Sequence, residues 1–295
     1  MPSQNKKPQF EHLKSKWTVR QKNLQENLWS KHRSSLEEAF SNARQLAVGS
    51  LSGFLLLTSP TAYKLPSVPS LLVANQASAK ELDKNIFLIT DLVKLLPFEL
   101  RSLTSKEEQT ITEILTRSFG VKVKAEIDGK RLNRSYGLIG AEQHLARFPG
   151  DNISAHFDSE EESKLYYSSG MAPGLGAWGY FTQSSMEMTE KDRLREKYYI
   201  AVQTFLSVDF NKRFAEYRDF FKYRKMIVVN PDNGKAIIAV IGDAGPAVWT
   251  GKHLGGSPEI MHYLERFDGS IKGAVLYFFI DDPEDKVPLG PISMK

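Results

Sequence analysis

From Lys225 to Leu264 long apolar runs alternate with short polar punctuation, and the pattern predicts strands joined by tight turns. The runs Met226 to Asn230 and Lys235 to Ile241 flank Pro231-Asp232-Asn233-Gly234, so a hairpin is expected there. Gly242, Gly245 and Pro246 bracket Asp243 and place a carboxylate on a stiff turn at a strand end. Ser257-Pro258-Glu259 then predicts a helix start, with an N-cap serine, proline at the first helical position and an acid in the first turn.

Upstream the period changes. Ile86 to Leu96 form an apolar run closed by Pro97, and Thr104-Ser105-Lys106-Glu107 forms a capping box ahead of Ile111, Ile114, Leu115 and Phe119 at helical spacing. Gly120 stops that helix. Val121, Val123, Ala125 and Ile127 alternate with charged residues, and Asp128-Gly129 turns the chain into Lys130 to Leu132. Lys197 to Phe205 and Ala274 to Ile280 are expected as strands, the second ended by Asp281-Asp282-Pro283. The acidic stretch 151–165 is expected as a solvated linker.

The amino-terminal part reads differently. Residues 1–45 carry an excess of five positive charges and form a basic arm, leaving the remaining chain near neutral. Leu46 to Thr58 holds no charge and is closed by Pro60; thirteen residues suit the apolar core of an export signal better than a full membrane span. Ala77-Ser78-Ala79 has the small-x-small form of a signal-peptidase site. Positive charge before the apolar run predicts a cytoplasmic amino terminus and an extracytoplasmic body, so 46–79 is expected to be a membrane anchor or signal with its linker.

Composition sharpens this only in part. The formal net charge is +4, but the excess lies on the arm, so no nucleic-acid partner is expected. There is no cysteine, which excludes disulfides and thiolate-bound zinc. No three-ligand zinc motif is present in sequence, and no metal or cofactor is expected. His144 stands in the run GLIGAEQHLARFPGD, with Glu142 and Gln143 beside it and glycines that permit close backbone approach.

The order Asn230-Pro231, Asn233-Gly234, Asp243, Gly245-Pro246 resembles double-psi β-barrel domains of the rare-lipoprotein-A and expansin-like group. In that group an NP-x-NG turn runs into a D-x-GP motif. The likeness covers roughly 166–280 and implies a six-stranded double-psi-like barrel. The expected fold class is therefore α+β: basic arm 1–45, anchor 46–79, a small helical and hairpin module 80–150, the linker 151–165 and a barrel domain 166–295. His156-Phe157-Asp158 spells a tripeptide of plant expansins, but it stands before the barrel rather than late in it.

In lytic transglycosylases of the group, the aspartate of this motif is the general acid, so the resemblance implies that role for Asp243. Relatives also carry a histidine ahead of the hairpin; Glu216 to Lys225 has none, and Asp219 is the available second carboxylate. Trp178, Tyr180, Trp249 and His253 are expected to bind substrate, with Trp178 and Tyr180 on one strand face as a platform for sugar rings. The expected function is an extracytoplasmic envelope protein acting on or binding peptidoglycan or another glycan, with lytic-transglycosylase-like chemistry. The alternative is a non-catalytic glycan- or protein-binding module in which the Asp243 motif is structural.

Overall fold

The computed structural model describes residues 84–266 and 273–295. The expected arm and the anchor at 46–58 lie outside the described residues, and no described helix is long and apolar enough to cross a membrane.

The described chain is mixed α+β around a closed six-stranded barrel, compatible with a double-psi barrel. Its strands are β4 (Tyr136–Ala141), β5 (Tyr199–Val202), β6 (Lys225–Val229), β7 (Ala236–Ala244), β8 (Leu254–Gly256) and β9 (Gly273–Ile280). Going round the barrel, β9 pairs β4, β4 pairs β8, β8 pairs β5, β5 pairs β7, β7 pairs β6, and β6 returns to β9. The β4–β8 and β5–β7 pairs are parallel and the others antiparallel. Among the described residues four short strands stand outside the ring: β1 (Val123–Lys124) extends it at β9, β10 (Gly290–Ile292) pairs β7, and β2 (Glu126–Ile127) and β3 (Lys130–Arg131) form a separate hairpin.

The long apolar runs are buried on both faces, which is why they lack a clean period of two. Ile237, Ala239 and Ile241 point into the barrel with Val228, Val275, Tyr277 and Phe279. Their neighbours Ala236 and Ile238 join Ile227, Val229, Leu276 and Phe278 beneath Ile111, Leu115 and Phe119 of the helix Ser105–Phe119. That helix has the expected capping box on Thr104 and Glu107, and Gly120 closes it in the left-handed conformation. The helix Phe214–Phe221 sends Tyr217, Phe220 and Phe221 into the inner cluster with Phe279.

The predicted β6–β7 hairpin is present. Asn230 N–H donates to Lys235 O and Gly234 N–H to Asn230 O, each at 2.9 Å, and the buried Asn230 side chain donates to Leu264 O at 2.8 Å. Ser257 caps the helix Pro258–Tyr263 as expected.

Other expectations change. The first barrel strand is β4, inside the stretch 80–150 drawn as a separate module, so one sheet crosses the expected boundary. Its sequence YGLIGA is too rich in glycine to read as a strand. The alternating run from Val121 to Ile127 breaks at Ala125 into two pieces with different partners. Residues 151–165 hold a 3-10 turn at Ile153–Ala155 and most of the helix Glu160–Tyr166, with Asp151 and His156 side chains fully buried rather than solvated. Trp178 and Tyr180 lie in a loop, not a strand.

Candidate functional site

Asp243 lies near the end of β7, and a bulge decides where it points. Ile200 of β5 pairs with Ile241, but the next residue, Ala201, pairs with Asp243, so Gly242 is an extra residue on β7. Ile200 and Ile241 both face the inner cluster. Ala201 alternates to the outer face, and the extra residue brings Asp243 out beside it, where simple alternation from Ile241 would have turned it inward.

The same register row continues across the sheet. Ala201 pairs with Gly255 of β8, and Gly255 pairs with Gly140 of β4. Three small residues therefore form a floor, with Asp243 at one edge. Two longer side chains lie over it. A Cβ on Gly255 would stand 2.1 Å from Glu142 Oε1, and one on Gly140 would stand 2.6 Å from Lys252 Cε. The glycines thus make room for Glu142 and Lys252 to lie flat on the strands.

Lys252 Nζ donates to Ala141 O at 2.7 Å and approaches Glu142 Oε1 at 3.3 Å. Gln203, buried after β5, donates from Nε2 to Pro246 O at 3.1 Å and to Lys252 O at 3.2 Å, tying the segment after Asp243 to the one that carries the lysine. Asp243 Oδ1 accepts the N–H of Ala177 at 2.6 Å and of Ala244 at 2.7 Å. The carboxylate thereby holds the loop 171–180 over the row.

Burial raises the pKa of Asp243 and outweighs these two N–H donors, which favour the charged form. Burial also raises Glu142; Lys252 opposes that shift, and the Asp243 charge adds to it. Glu142 thus senses the Asp243 charge as a small addition to its burial, and Lys252 stands beside Glu142. Chemically, two carboxyls raised by burial on one face of the barrel are candidates for general acid and base work.

The expected site residues divide. Asp243 is half-exposed, at the β7 edge of the row. Trp249 stands 88% exposed in the 3-10 turn Val248–Thr250, three residues past Pro246. Trp178 is turned over β7, donating Nε1–H to Ile241 O at 3.1 Å and packing against the core, which leaves less of its face for a ligand. Tyr180 is half-buried in the same loop. His253 Nδ1 accepts the Leu138 N–H at 2.9 Å while the His253 backbone N–H donates to Leu138 O, so ring and backbone together join the segment before β8 to β4. Asp219 is exposed on the helix Phe214–Phe221, paired with Arg218, and its described contacts do not reach Asp243.

Sequence reasoning marked Glu142 only as a polar neighbour of glycines and gave Lys252 no role. They stand 110 positions apart, and only the β4–β8 pairing joins them. Clefts of about 590 Å³, lined from Gln109 to Lys124, and about 370 Å³, lined by Lys191, Arg195, Tyr223 and Leu289, lie elsewhere on the surface. Neither holds a pair of carboxyls with raised pKa, so the chemistry points to the open row instead. Neither the protein-family models nor the curated proteins and solved structures compared with this chain match it.

Proposed function

We propose that the chain is an extracytoplasmic envelope protein that acts on the glycan strands of peptidoglycan through the carboxyl pair Asp243 and Glu142. One observation carries this reading: two carboxyls raised by burial stand at the row Gly140, Gly255 and Ala201 on the outer face of the barrel, with Lys252 beside Glu142. Asp243, without a cationic partner at the row, is the general acid that protonates the glycosidic oxygen. Glu142, with Lys252 beside it, is the base: it takes the proton of the sugar's own C6 hydroxyl as that oxygen bonds to C1, so the protonated leaving sugar departs and a 1,6-anhydro end forms. Exposed Trp249 and Val248 offer an apolar rim on which a sugar ring can rest. The double-psi resemblance of the NPDNG and DAGP segments supports the substrate class, and the apolar segment 46–58 supports an exported or membrane-anchored body.

A second reading has its own observation. The two backbone N–H groups converging on Asp243 Oδ1 are what a purely structural aspartate needs, and they favour a non-catalytic glycan- or protein-binding module. Incubation with bare peptidoglycan sacculi separates the two. Soluble anhydromuropeptides, lost in Asp243→Asn, support catalysis; retention on sacculi without release supports the binding module; neither release nor retention removes both.

A further inference from the structure

Away from the row, residues from three segments meet in a buried cluster. His144 follows β4, His156 follows the turn Ile153–Ala155, and Glu196 lies in the helix Glu190–Lys197. Their side chains are 1%, 0% and 4% exposed. His144 Nδ1 stands 3.2 Å from Glu196 Oε1, His156 Nδ1 stands 3.1 Å from Glu196 Oε2, and one ligand atom from each residue lies within 4.8 Å of the others. We propose that His144, His156 and Glu196 bind a zinc-class divalent ion that clamps these three segments together.

Four features support an ion there. First, the spacing fits, since neighbouring donors of a tetrahedral zinc with bonds of about 2.0–2.1 Å stand about 3.3 Å apart. The two imidazoles and one Glu196 oxygen supply three donor atoms, with a water as the fourth. Second, the outward nitrogen of His156 is held as metal-bound imidazoles are held: Nε2 meets Asp151 Oδ2 at 2.9 Å, and Arg147 grips that carboxylate through Nε and Nη2. Glu196 is fixed in turn by the N–H of Leu145 at 3.0 Å. Third, carboxylates outnumber fixed cations at His156: Asp151 and Glu196 flank its ring with Arg147 on Asp151 alone, and a bound ion can take the place of the proton that His156 otherwise shares with both. Fourth, His144 Nε2 and Glu259 Oε2 are buried with no hydrogen-bond partner among the described residues, so protein groups alone leave this patch unsatisfied. The donors are nitrogen and carboxylate oxygen, which suits zinc and its cobalt substitute. Enclosed on every side, the ion is structural.

The test uses the full chain, stripped with EDTA, dialysed and titrated with zinc chloride, with bound metal measured by mass spectrometry. Cobalt(II) is titrated in parallel to read the visible bands of a low-symmetry, four-coordinate ion. The expected result is about one zinc per chain and a rise in thermal midpoint that EDTA reverses. His156→Gln and His144→Gln should abolish stoichiometric binding, Asp151→Asn should weaken it about 10–100-fold, and the exposed control His262→Gln should leave it unchanged. Wild type that stays folded and retains no zinc would overturn the proposal whatever the variants do. So would a folded His156→Gln protein that binds zinc as wild type does.

Discussion

Replacing Asp243 separates its hydrogen bonding from its charge. Its Oδ1 accepts two backbone N–H groups, at 2.6 and 2.7 Å, which fasten the loop 171–180 to β7. Asparagine can present the same oxygen without the charge, whereas alanine presents none. Bonds to a charged acceptor contribute about 1.5–3 kcal/mol each when buried; Ala177 is exposed, so water can replace its partner, and about 1 kcal/mol per bond is the better figure. Asp243→Ala should therefore lose about 2 kcal/mol, or about 4–8 °C for a domain of this size. The sign for asparagine follows from the raised pKa. The folded carboxyl holds its proton more tightly than the unfolded one, whose ordinary value is 3.8, so its contribution to stability is complete below that value and is lost as pH rises through the folded pKa. Above the folded pKa the wild type carries a charge that the fold disfavours and Asp243→Asn does not. The variant should match or exceed wild-type stability there, and the advantage should vanish near pH ~3. Urea unfolding followed by circular dichroism at both pH values checks this. If Asp243→Asn is as unstable as Asp243→Ala at neutral pH, the charge itself holds the loop and the assignment of a strained acid is wrong.

Other outcomes follow from the same packing. Gly255→Ala puts a Cβ into the space of the Glu142 carboxylate and should cut glycan turnover or binding at least tenfold while leaving the far-ultraviolet spectrum intact, because the side chain can swing away; unchanged activity would show that Glu142 is not needed where it lies. Phe279→Ala, which empties a site 1% exposed between Phe220 and Phe221, should cost about 3–5 kcal/mol in equilibrium unfolding. Thr104→Ala breaks the capping box of the helix Ser105–Phe119 and should cost about 1 kcal/mol by the same measurement.

Much of the fold was readable where local chemistry and tertiary packing agree. The NPDNG turn carries its own geometry: Asn230 accepts the Asp232 N–H through its side chain, and Gly234 takes a positive φ of 73°. Thr104 and Ser257 likewise act within one helical turn of themselves. What could not be read depends on distant partners. YGLIGA is a strand because β8 and β9 flank it and because its glycines admit Lys252 and His253, contacts made by residues more than 100 positions away. The outward aim of Asp243 depends on one extra residue in β7 relative to β5, which no spacing within β7 reveals. The acidic stretch 151–165 looked solvated because Asp151, Asp158 and Glu160 to Glu162 stand close together; the structure buries the Asp151 and His156 side chains by supplying Arg147 and Glu196.

The carboxyl pair is the centre of the account, and one measurement meets it directly: release of anhydromuropeptides from bare sacculi by wild type, Asp243→Asn and Glu142→Gln, read by chromatography with mass detection. The account predicts product from wild type and a loss of at least about 100-fold in either variant, since each removes one partner of an acid–base pair. Equal release by wild type and Asp243→Asn would contradict it.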